Sequence, residues 1–113
     1  MERYLALLED LEGRRALLDL LEKQVDNFPG LYFYRLALAD TYEAGGNTSA
    51  AQVILRKGLD RSSGSAEINF RLGRLYEKSG SKSLATGYYR DALKLEPGHA
   101  EAKKFLNSLL QKN

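Results

Sequence analysis

Few side chains in this chain could do chemistry at neutral pH. It holds one histidine, His99, and no cysteine, so thiol catalysis, thiolate metal sites and a disulfide scaffold are all excluded. His99 follows Pro97 and Gly98 where a helical stretch begins, and there a solvated or capping role outweighs catalysis. No serine has a histidine nearby in sequence that would mark a nucleophile and its base. The glycines never adopt the spacing of a phosphate-cradling loop. Asn47, Thr48 and Ser49 spell a glycosylation acceptor, but between two helical stretches these residue types cap helices. The expectation is a protein that is not an enzyme, with no catalytic residue, no metal and no cofactor.

What remains is the chemistry of contact. Hydrophobic residues make up 43% of the 113 positions and charged residues 28%, the balance of an ordinary soluble domain. The net charge is only +2, from 17 basic and 15 acidic residues. Basic residues such as Arg14, Arg15, Arg71 and Arg74 are offset by nearby Glu and Asp, so no stripe for nucleic acid or anionic lipid is built in. The opening MERYLALLEDLEGRR carries acidic residues by its ninth position and no apolar run of leader or membrane-span length. A cytoplasmic protein is expected, with neither nucleic acid nor membrane among its partners.

A 34-residue period organises the chain. Moving residues 32–65 onto 66–99 pairs Leu38 with Leu72, Tyr42 with Tyr76, Glu43 with Glu77 and Gly46 with Gly80. It also pairs Ser49 with Ser83, Ala51 with Ala85, Arg56 with Arg90, Leu59 with Leu93 and Gly64 with Gly98. Within a copy, Leu36, Leu38, Ala39 and Tyr42, then Ala51, Ile54, Leu55 and Leu59, recur at helical spacing, which predicts two helices. Gly45, Gly46 and Asn47 separate them in one copy and Ser79, Gly80 and Ser81 in the next. These types close one helix and cap another, and so short a turn makes the pair antiparallel. Pro97 ends the second copy. Ser63 stands one period upstream and Pro29 two, which predicts a degenerate hairpin over 1–31 from helices Glu2 to Leu11 and Arg15 to Asn27. A capping helix follows from about Ala100 to Gln111, with Ala102, Phe105, Leu106 and Leu109 inward and Lys103, Asn107 and Lys112 facing water.

These residues resemble the tetratricopeptide repeat family, whose pattern is W-x2-L-G-x2-Y, A-x3-F and P. Leu72, Gly73, Tyr76, Ala85, Tyr89, Ala92 and Pro97 match in the second copy, with Asn69 in place of tryptophan. Leu38, Ala39, Tyr42, Ala51 and Gly58 match in the first, where Arg35, Leu55 and Ser63 replace tryptophan, aromatic and proline. The resemblance implies a single all-α domain over 1–113. Antiparallel hairpins, a degenerate one over 1–31 and repeats over 32–65 and 66–99, stack as a short right-handed solenoid closed by the 100–113 capping helix.

The resemblance also implies a concave groove, lined by the first helix of each hairpin, that takes a peptide or partner helix of another protein. The residues left on those helices after the packing positions are removed are Phe33, Leu36, Asp40 and Glu43, then Glu67, Phe70, Arg74 and Glu77, with Glu101 and Lys104 continuing the line. Phe70 and Arg74, four apart on one helix face, are expected to be contact residues that can be truncated without cost to the fold. One subclass grips a C-terminal carboxylate with basic and amide side chains. Here the matching positions hold Leu36, Asp40, Glu101 and Phe105, so no such clamp is expected. The alternatives are a self-associating element, through Phe33, Tyr4 or the edge of the first hairpin, giving a homo-oligomer, and a fragment of a longer scaffold.

Overall fold

The computed structural model describes residues 2–61 and 65–111, with side chains over 11–59 and 65–111. Ser63, Gly64, Lys112 and the side chain of Tyr4 lie outside the described residues. Six helices follow one another: α1 (Glu2–Asn27), α2 (Tyr32–Ala44), α3 (Thr48–Arg61), α4 (Ala66–Lys78), α5 (Lys82–Leu95) and α6 (Ala100–Gln111). Each packs on its neighbours in the chain, and α2 also touches α4. This is the stacking of an all-α solenoid, whose units contact only those beside them.

The N-terminal hairpin expected from the sequence is instead one helix, α1. The difference lies in the backbone at each glycine. Gly46 and Gly80 take positive φ, 85° and 89°, and allow the preceding helix to end in a Schellman turn. Asn47 and Ser81 donate their amides back to the carbonyls of Tyr42 and Tyr76 at 2.8 and 2.9 Å. The Asn47 side chain then accepts from the Ala50 amide at 3.2 Å, capping α3, while Ser81 makes no side-chain cap. Gly13 has no positive φ and is succeeded by Arg14 and Arg15, good helix formers. A mid-helix glycine costs only about 1 kcal/mol, and the burial of Leu21 and Val25 against Leu38 further along α1 outweighs it.

Three apolar clusters run along the stack. Leu21, Val25 and Leu38 join α1 to α2. Ala39, Ala51, Leu55, Ile68, Leu72 and Leu75 join α2, α3 and α4. Ala66, Phe70, Ala85, Tyr89, Ala92, Ala102, Leu106 and Leu109 join α4, α5 and α6. Tyr42 packs on the first two clusters and Tyr76 on the last two, so each repeat tyrosine seals one joint of the solenoid.

The two copies solve the same packing problem with different pairs. In the first, Ala39 meets a cluster containing Leu55. In the second, Gly73 lies under the Tyr89 ring, so close that a Cβ there would be 2.5 Å from Tyr89 Cε1. A larger ring on one helix is matched by a smaller residue on the other. The tryptophan position shows a similar exchange. Arg35 is buried at 5% exposure, donates to the Ile54 carbonyl at 3.3 Å, and passes Gly58, where a Cβ would stand 2.7 Å from its Cδ.

Gly73→Ala should therefore lower the denaturant midpoint by an amount worth about 1–3 kcal/mol, although alanine is the better helix former. In a double-mutant cycle Gly73→Ala with Tyr89→Leu, which recreates the Ala39 and Leu55 pair, should lose less than the sum of the two single changes. Additive losses would contradict the close approach.

Candidate functional site

The aligned helices α2, α4 and α6 leave an open cavity of about 320 Å³ between them. Ala39, Leu55, Phe70, Leu75 and Phe105 form its apolar part, and Asp40, Glu43, Glu67, Arg71, Arg74, Lys78 and Glu101 its polar part. Helix α4 supplies the largest share because Glu67, Arg71, Arg74 and Lys78 repeat at intervals of three and four along one helix face.

Of the residues expected in a groove, Asp40, Glu43, Glu67, Phe70, Arg74 and Glu101 line this cavity and Phe33, Leu36, Glu77 and Lys104 do not. Phe33 is 52% exposed, its ring centroid 4.5 Å from that of Tyr34 and tilted to it by 41°. Leu36 packs against the middle cluster. Lys104 is exposed on α6. Arg71, Lys78 and Leu75 also line the cavity; the three- and four-residue spacing from Glu67 and Arg74 is the signal that would have found the two cations.

Phe70 requires a correction. At 4% exposure it is a core residue whose edge forms part of the cavity floor, and it cannot be truncated without cost. Its ring sits 5.0 Å from His99, 5.7 Å from Phe105 and 6.0 Å from Tyr89. Helix α4 is covered by α3, α5 and α2 at once, so it buries more of its circumference than the amphipathic pattern of a surface helix implies.

The cations of the cavity are all engaged. Arg71 bonds Asp40 across the groove and Glu67 one turn back at 3.2 Å. Burial works against its charge, but the bonds to Asp40 and then Glu67 outweigh that and raise its pKa above that of a free guanidinium. Lys78 reaches Glu43 at 3.1 Å. Arg74 lies 4.0 Å over the Phe105 ring and 3.6 Å from Glu77. Glu77 in turn accepts from the Tyr89 hydroxyl at 2.6 Å. Burial first, and the Glu77 carboxylate second, push the Tyr89 pKa well above the usual phenol range, so its proton stays in place at neutral pH.

His99 is tied to the site through Glu67. Its Nδ1 accepts from the Ala102 amide at 3.1 Å, which caps α6 and leaves the ring proton on Nε2, 3.0 Å from Glu67 Oε2. The capping role expected from sequence holds, but the ring is buried rather than solvated. A line of polar contacts thus crosses three helices, from His99 to Glu67, Arg71 and Asp40. Among the described residues no group of His, Asp and Glu could hold a metal ion, and no helix is long and apolar enough to cross a membrane.

A family profile described as tetratricopeptide repeat matches residues 66–99, the span of the second copy. No curated protein matches the chain.

His99→Ala removes both the cap and the tie to Glu67. It should destabilise the protein by about 1–2 kcal/mol and reduce hydrogen-exchange protection in the first turn of α6, whereas His99→Asn should keep that protection. Equal loss of protection in both variants would contradict the capping role.

Proposed function

Because the chain carries a tetratricopeptide repeat at residues 66–99, we propose that it is a non-enzymatic interaction module that binds a peptide or helix of another protein between α2, α4 and α6. The observation that supports this most is the open cavity formed where these three helices line up, with an apolar floor and a charged rim. Such a floor accepts an apolar side chain, and the rim fixes register and direction. The charges are held on rigid helices rather than loops, so little ordering cost falls on the module when a partner binds.

A second reading, self-association, is favoured by the surface of α1. Leu11, Leu17 and Leu20 are exposed there, and Phe28, Leu31, Tyr32 and Phe33 are exposed at its junction with α2. Apolar side chains gathered at one end of the stack mark a surface that another element covers: α1 of a second copy, or a preceding helix if the chain belongs to a longer scaffold.

Asp40→Trp combined with Lys78→Trp would fill the groove while removing one charge of each sign. Capture of partners from a lysate should fall more than tenfold with the thermal midpoint little changed, since both positions are exposed. Lys82→Ala with Thr86→Ala on α5 should change nothing. Undiminished capture by the tryptophan pair would move the site out of the groove. A mass from light scattering that stays monomeric across concentration would remove the second reading.

A further inference from the structure

We propose that the groove takes a basic peptide segment, one that lays an apolar side chain on the Phe70 and Phe105 floor and sets a lysine or arginine against Asp40 and Glu101. This rests on the groove reading above and adds the chemistry of its occupant. Arg71, Arg74 and Lys78, the three cations of the cavity, already hold carboxylates: Asp40 and Glu67, then Glu77, then Glu43. An incoming carboxylate would find each of them occupied and would have to displace an internal partner.

The acidic side of the cavity is in surplus. Four carboxylates, Asp40, Glu43, Glu67 and Glu101, line it against three cations, Arg71, Arg74 and Lys78, and Arg74 is held by Glu77 outside the lining. Glu67 is bound from both sides, by Arg71 and His99, and carries little for a ligand. Glu101 is exposed and makes no ion pair among the described residues. Asp40 uses one oxygen for Arg71 and its side chain is 57% exposed. These two carboxylates, one on α2 and one on α6, line the same cavity as Phe70 and Phe105. A cation on a flexible stem, next to an apolar residue, complements that arrangement in sign and shape. Lys104, an exposed cation on α6, does not line the cavity and so does not offset the surplus.

The experiment is selection of a random 12-residue peptide library on the full chain, followed by affinity measurements on the enriched sequences. The proposal expects enriched peptides with a lysine or arginine beside an apolar residue. It also expects at least tenfold weaker binding to Glu101→Lys and a smaller loss for the isosteric Glu101→Gln, with circular dichroism unchanged in both. Binding should weaken as salt is raised, as exposed charge contacts do. Enriched peptides that are acidic or neutral, and that are lost in the Asp40→Trp and Lys78→Trp variant, would overturn the basic occupant while leaving the groove as the site. Peptides that bind that blocked variant undiminished, or no enrichment at all, would overturn the groove reading and this proposal with it.

Discussion

The Tyr89 ring lies across Gly73, so close that a Cβ there would meet it at 2.5 Å. This contact sets how near α5 comes to α4, and with Tyr89 fully buried it leaves the ring one place to be. From that place the hydroxyl reaches Glu77, Glu77 faces Arg74, and Arg74 lies over Phe105 of α6. A packing constraint inside the second repeat is thereby carried, side chain by side chain, to the wall of the groove. No single link is strong, since partly exposed ion pairs contribute roughly 0–1 kcal/mol each. Their effect is to hold side chains that would otherwise sample many rotamers.

The capping helix is tied to the same framework from the other side. His99 links the first turn of α6 to Glu67, and through Arg71 to Asp40 on α2. The three helices that wall the cavity are therefore joined by polar contacts at its rim as well as by apolar ones beneath. The curvature of a solenoid normally arises from the rotation between neighbouring units. Here the rim contacts add a second restraint on how far α2 and α6 can open.

Much of the fold could be read from the sequence because repetition makes weak local signals agree. Gly46 with Gly80 and Ala51 with Ala85 are each ordinary alone, and one period apart they fix turns and close crossings together. The last helix was equally legible from Pro97, Gly98 and the apolar spacing after them. The first helix was not, because Gly13 resembles a turn glycine, and the burial of Leu21 and Val25 that keeps the chain helical through it is a tertiary contact. Phe70 misled for another reason: helical spacing says which residues share a face but not how many neighbours cover the helix, and α4 packs against α2, α3 and α5 at once. Arg71 and Lys78 could have been placed on the cavity face by their spacing from Glu67 and Arg74, but the carboxylates they meet on α2 could not.

The most direct test of the account is backbone chemical-shift mapping of the labelled protein during titration with a bound peptide segment. The account predicts that the largest changes fall on Ala39, Asp40, Glu43, Arg71, Lys78 and Glu101, across α2, α4 and α6 together, while Leu17 and Leu20 of α1 stay still. Changes concentrated on α1 and its junction at Phe28 to Phe33, with the groove residues unmoved, would contradict it.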